Sequence, residues 1–449
     1  MGLRRDDPRT TLRHMDESLF PEMAAPEATA RDDAPPRYET ANRQQVELQP
    51  CDLETLLPPG HAARLVWRFV EGLDLTALYA AIKAREDGPG RPAIDPKILM
   101  ALWLYATIDG VGSARELDRL CYAHDAYRWI RGGVSVNYHT LADFRVAQRP
   151  ILNDLLTQSI TALLHRGVIT MARVAQDGTR VRGSAGAASF SRRPRLEEAL
   201  RAARKQVDRT ARQEDGPGLS REAAAEARAA RERLARVEEA LAQLPQIEAL
   251  KQKQGNKASE PRASTTDPDA RVMKMADGGY RPAYNVQFAT DVDGRAIVGV
   301  TVTNEGHDRT ALVPMLDQIE QRTGRRPAAS LVDGGFVNKE VITAVAEQGV
   351  TVYAPLVVRA GRTRDLSAPV PGDSPAVEAW RIRMTSPAGQ QVYKARSATA
   401  EWVNADGRTH RVLNQIPVRG TTKVLTWALW IALAHNLMRT MELVPHLMT

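Results

Sequence analysis

Three acids far apart in the chain are the residues whose setting suggests chemistry. Asp177 stands in VAQDGTRVRG, where a short apolar run gives way to glycine, a small polar residue and two arginines, Arg180 and Arg182. Asp333 stands in LVDGGF, at the close of a second apolar run. Glu401 stands in YKARSATAEWVNADGR, with Tyr393 and Arg396 before it and Arg408 after it. Two carboxylates brought within a few ångströms repel and raise each other's pKa, a conflict that a divalent metal relieves. Oxygen ligands of this kind suit Mg²⁺ or Mn²⁺, which complete their shells with water and substrate phosphate. Two such ions about 3.5–4 Å apart would activate an attacking oxygen and stabilise a leaving one. Two aspartates are too few for this, and Glu401 is the candidate third ligand. Arg180, Arg182, Arg396 and Arg408, with Tyr393, would hold flanking phosphates. Plainer readings stay open: Asp-Gly is a common turn dipeptide, and a lone helical glutamate usually faces solvent.

The elements that must gather these acids follow from periodicity. VITMARVAQ is predicted as a buried strand ending at Asp177. YNVQFATD and AIVGVTVT, joined at Asp291-Val292-Asp293-Gly294, form a hairpin. HDRTALVPMLDQIEQRTG is a helix with Asp308 as its N-cap and His307 as a loop neighbour. RRPAASLVDGGFVNKEVITAVAEQGVTVYAPLV spells strand, turn, helix, strand, a βαβ unit with parallel strands. A Pro- and Gly-rich loop is expected over 360–390, a helix over 396–405 and a long amphipathic helix over 421–443. In such a mixed sheet the strands carrying Asp177 and Asp333 can lie side by side. Residues 191–260 interrupt with an Arg-, Ala- and Glu-rich helical hairpin split at 215–218.

Upstream the pattern is helical throughout. HAARLVWRFVEGL, DPKILMALWLYATIDG, GSARELDRLCYAHDAYRWIRGG and NYHTLADFRVAQ space apolar residues by three and four, with Ser113 as an N-cap and a glycine pair as a stop. The last two, across Gly132–Val136, form either a packed helix pair or a helix-turn-helix. The expected organisation is therefore a flexible tail over 1–45, an all-helical domain over 46–150 and an α/β domain over 151–449 with helices on both faces of a mixed sheet.

Composition narrows the class. The 449 residues carry 61 Lys plus Arg against 54 Asp plus Glu, a mild excess of +7 compatible with a polyanionic partner. Two cysteines, Cys51 and Cys121, exclude a disulfide framework and point to free thiols. The most apolar segment, VLTWALWIALAHNLM, is too short and too interrupted by His435 and Asn436 to span a bilayer. Those two residues, with Trp427 and Trp430, are expected in packing. The expected location is the cytoplasm, and no Gly-rich nucleotide loop indicates ATP use.

Taken together these segments resemble a bacterial insertion-sequence transposase of the DDE type, in the ribonuclease H-like integrase superfamily. The likeness is carried by RPAIDPKILMALWLYATIDGVGSARELDRLC and AYRWIRGG, by VAQDGTRVRGSAG, STTDPDARVMKMADGGYRPAYNVQFATD and LVDGGF, and by YKARSATAEWVNADGR and ALWIALAHNLMR. It implies a ribonuclease H-like sheet and Asp177, Asp333 and Glu401 as catalytic acids holding two Mg²⁺ ions. It further implies water, then a DNA 3′-hydroxyl, as attacking groups at element ends and target. The partners it implies are double-stranded DNA with terminal inverted repeats and at least a second copy of the chain. It also favours the helix-turn-helix reading. Related chains show Tyr-x₂-Arg-x₃-Glu-x₆-Lys; here the acid after Arg396 comes one residue late, and Arg408 replaces the lysine. An inactive DNA-binding descendant and a nuclease without strand transfer are the rival expectations.

Overall fold

The computed structural model describes residues 50–84, 92–214, 220–253, 260–356, 365–368 and 370–444, together with 41, 43, 44 and 46. The chain divides into Met1–Pro50 and Cys51–Thr449. The tail expected over 1–45 and the split of the hairpin at 215–218 lie outside the described residues, apart from 41, 43 and 44.

The second unit opens with helices whose starts are written in the sequence. These are α1 (Ala62–Glu71), α2 (Thr76–Ala80), α3 (Pro96–Ile108), α4 (Ala114–Ala123), α5 (Asp125–Arg131), α6 (Tyr138–Ala147) and α7 (Arg149–His165). Asp95 caps α3 by accepting from Lys97 N at 2.8 Å, with Pro96 pre-set for the first turn. Ser113 caps α4 and Asn137 caps α6 as their types demand. The single helix expected from Ser113 to the glycine pair is broken at His124. That residue is extended (φ −128°, ψ 129°), and its ring accepts from Ala126 N at 3.2 Å, restarting the chain as α5. Helix α3 is buried on nearly every side, so it is the post around which the others pack.

The sheet follows. Strand β1 (Arg173–Arg182) leads to β2 (Phe190–Ser191), α8 (Arg193–Glu214), α9 (Arg221–Lys253) and β3 (Ala263–Ser264). Pairing of β2 with β3 closes the base of this charged insertion, and Arg204–Glu238 and Arg209–Glu226 bridge its two helices at 3.3 and 2.7 Å. Then come β4 (Arg271–Lys274), β5 (Tyr280–Asp291), β6 (Ile297–Thr303), α10 (Leu312–Thr323), β7 (Ala329–Leu331), α11 (Lys339–Glu347) and β8 (Thr351–Tyr353). The strand order is β4-β5-β1-β7-β8, with β6 sharing the outer edge of β5. Pairs β1/β5 and β5/β6 are antiparallel, while β1/β7 and β7/β8 are parallel. This is a ribonuclease H-like sheet. Two carboxamides seal its β6 edge: Asn436 exchanges hydrogen bonds with Ile297 N and O, and Gln318 does the same with Val300.

The last part departs from expectation twice. Helices α12 (Pro375–Thr385) and α13 (Pro387–Arg396) occupy much of the predicted loop. The prolines that suggested a loop are first-turn residues, preceded by Ser374 and Ser386 as caps. One π-helical turn, Ser397–Glu401, joins α13 to α14 (Trp402–His410). The closing helix α15 (Thr421–Leu443) has the predicted bounds but is buried on most sides rather than amphipathic; Trp427, Trp430, His435 and Asn436 are all interior. It packs against α3, α6, α7 and β6, so one apolar core runs from the helical part into the sheet. No helix among the described residues is long and apolar enough to cross a membrane.

Candidate active site

Pairing register brings the two aspartates together. Parallel partners Arg173↔Ala329, Val174↔Ser330 and Ala175↔Leu331, continued by two residues, set Asp177 level with Asp333. Asp177 is not a strand tip, however. Strand β1 runs on to Arg182 because β5 stays paired with its other edge, as far as Arg182↔Ala283. What ends near Asp177 is β7, so one flank of β1 is left open there. Asp333 follows β7 as an exposed residue leading into a short turn, where its side chain caps nothing.

The third acid arrives from above. Arg396, at the end of α13, donates from Nη2 to Asp177 Oδ1 at 3.0 Å and from Nη1 to Glu401 Oε1 at 2.7 Å. Ser397 Oγ donates to Glu401 Oε2 at 2.8 Å, and Asn404 Nδ2 donates to Asp177 Oδ2 at 3.1 Å. Arg408 donates to the hydroxyl of Thr179, on the same face of β1 as Asp177. Tyr393 is half-buried within electrostatic reach of all three acids, and burial foremost raises its phenol pKa.

Burial raises the Asp177 carboxyl above the usual carboxylate range, with Arg396 and Asn404 pulling the other way. Burial also works against the charge on Arg396, but Asp177, Tyr393, Asp333 and Glu401 outweigh it and raise the guanidinium pKa. The pair thus favours its cation more than its anion. One guanidinium shared between two carboxylates cannot neutralise both, and the deficit falls on Asp177, 20% exposed against 50% for Glu401.

Other candidates are placed elsewhere. Side chains alternate along a strand, so Arg180 and Arg182 lie on the face opposite Asp177. Arg180 is held there by the carbonyls of Lys274 and Gly306, at 3.3 and 2.9 Å. The bare face of Gly178 serves protein packing. A Cβ there would stand 2.5 Å from Asp308 Oδ1 and 2.8 Å from Asn285 Oδ1. Asp308 does not cap α10, which starts at Leu312; it takes hydrogen bonds from the side chains of Asn285 and Gln287. His307 is an exposed loop residue 3.7 Å from Glu305. In the α5–α6 pair, α6 exposes His139, Asp143 and Ala147, while its arginine, Arg145, is buried between Trp103 and Trp427. Asn404 was missed from sequence, although it stands three residues after Glu401 and four before Arg408, the spacing of one helical face.

Three carboxylates from two neighbouring strands and a helix are the right donors for Mg²⁺ or Mn²⁺. In the arrangement seen, Arg396 is the cation between Asp177 and Glu401, and among the described residues no three acids or imidazoles are grouped closely enough to ligate one ion. Arg396 Nε and Asn404 Oδ1 are buried without a hydrogen-bond partner, so each keeps a polar valence beside Asp177 that a bound group could take up.

Comparison with known families gives two matches. Residues 257–437 match the transposase DDE domain, and residues 51–147 match a transposase domain, DUF772. Asp333, Tyr393, Arg396, Glu401 and Arg408 lie inside the first match; Asp177 lies upstream of it, across the α8–α9 insertion, and joins the others through β1–β7 pairing. Neither a curated protein nor a solved structure matches the chain.

Proposed function

For a chain built from two transposase domains, one of the DDE type, we propose that it cuts the ends of a DNA element and joins them to target DNA, using Asp177, Asp333 and Glu401 as its catalytic acids. The single observation that supports this most is the meeting of Asp177 and Glu401, more than two hundred residues apart, at Arg396, with Asp333 set level with Asp177 by the β1–β7 register. Held by the three carboxylates, two divalent ions would activate the attacking hydroxyl and offset charge on the leaving oxygen. The chain's own residues do the rest. Arg396 gives up its carboxylates to bind a non-bridging phosphate oxygen, which frees Asp177 and Glu401 as ligands. Arg408, steadied by Thr179, takes an adjacent phosphate, and Tyr393 stands within electrostatic reach of all three acids. Residues 46–150 are assigned the grip on the terminal repeats, and two or more copies would hold paired ends.

The test is cleavage of a duplex bearing the element's end, with Mg²⁺, by the parent and by Asp177→Asn, Asp333→Asn and Glu401→Gln. Loss of nicking with DNA binding retained supports the assignment. Nicking undiminished in all three removes these acids from the reaction, and a parent that binds without cutting would be a DNA-binding descendant.

A further inference from the structure

Arg396, Asn404 and Arg408 all donate to one face of β1, at Asp177 and Thr179, yet their spacing does not suit an unbroken α-helix. Each residue advances an α-helix by about 100°, so the eight steps from Arg396 to Asn404 would leave those side chains about 80° apart. Both nevertheless donate to one carboxylate, Arg396 to Asp177 Oδ1 at 3.0 Å and Asn404 to Oδ2 at 3.1 Å. The backbone between them supplies the reason. Ser397–Glu401 is a single π-helical turn, which accommodates one residue more than the α-turn it replaces. With that residue absorbed, seven α-steps separate Arg396 from Asn404, and seven steps close to within about 20° of two full turns. Thr399 Oγ1 donates to Ala395 O at 2.8 Å, supporting the ladder where it loosens. Ala398, in the turn, is exposed.

We propose that this π-turn is a register device: it takes up the one extra residue between Arg396 and Glu401, returning Glu401, Asn404 and Arg408 to the face that Arg396 occupies. The inference rests on the reading of Asp177, Asp333 and Glu401 as catalytic acids. It also accounts for the late position of Glu401, since Glu401 to Arg408 then continues over regular α14.

The discriminating experiment removes one exposed alanine at a time from the full chain. Deleting Ala398 should heal the π-turn into plain α-helix and leave every side chain of the face in place. End cleavage should stay within about threefold of the parent, with Tm unchanged or higher. Deleting Ala405, exposed in regular α14, should swing Arg408 about 100° off the face and cut cleavage about a hundredfold. A folded but inactive Ala398 deletion overturns the proposal. So does one that melts well below the parent or fails to fold, because a healed helix cannot be the weaker one. Equal losses in both deletions overturn it too. Failure of the catalytic reading is distinguishable: Glu401→Gln would then cut as fast as the parent, while the Tm of the Ala398 deletion still reports on the turn.

Discussion

Asp177 and Asp267 are both aspartates whose carboxyls burial raises above the usual range, yet they are built for different ends. Asp267 is wholly enclosed. Its Oδ1 accepts the Tyr284 hydroxyl at 2.6 Å and Gly420 N at 3.1 Å, and its own N–H is taken by Ser264 Oγ at 3.0 Å. These neutral donors pin the start of α15 to β5. Asp177 is partly open, and a cation shared with Glu401 holds it. Burial alone therefore does not mark a reacting acid; the neighbours and the access do. The closed aspartate fastens α15 to β5; the open one is the proposed reagent.

The largest effect should separate them outright. Asp177→Asn is expected to lower end cleavage about a thousandfold or more while Tm holds, since a poorly neutralised charge is removed. Asp267→Asn should leave cleavage per folded molecule unchanged; a thousandfold loss there, measured on protein shown to be folded, would erase the distinction. Next in size, Asp267→Ala strands the Tyr284 hydroxyl and Gly420 N–H and should cost about 2–4 kcal/mol, read as a lower urea midpoint with an unchanged slope. A smaller effect is expected at the rim of the open site. Arg408→Ala should weaken the apparent KM for end DNA about tenfold with kcat nearly kept, and Arg408→Lys should recover part of it.

The smallest effect concerns pH. Burial raises the Asp267 pKa in the folded state, so its contribution to stability is full below the unfolded value and fades as pH rises through the raised one. Asp267→Asn cannot ionise. Its Tm deficit relative to the parent should therefore be greatest in acid and narrow toward neutrality. A deficit that widens instead would mean the carboxylate is favoured in the fold, contrary to its surroundings.

How much of this could be foreseen differs by element. Asp177 beside Asp333 followed from the order of strands and the βαβ unit, because parallel neighbours align their carboxyl ends. The continuation of β1 to Arg182 depends on β5, a partner about a hundred residues away, and no local pattern announces it. Had β1 been extended, alternation would have turned Arg180 and Arg182 away from Asp177 at once. Helices α12 and α13 were hidden because Ser-Pro pairs begin helices as well as loops. The π-turn was visible only as a misfit of one residue before Glu401. Its cause is backbone geometry that spacing rules for α-helices do not contain.

The carboxamides of Asn436 and Gln318 have a bearing on how copies of the chain meet. They already occupy the main-chain groups of Ile297 and Val300 that an incoming strand would need. That margin of the sheet is therefore guarded against a neighbour's strand, and two molecules brought close are kept from fusing there into a shared ribbon.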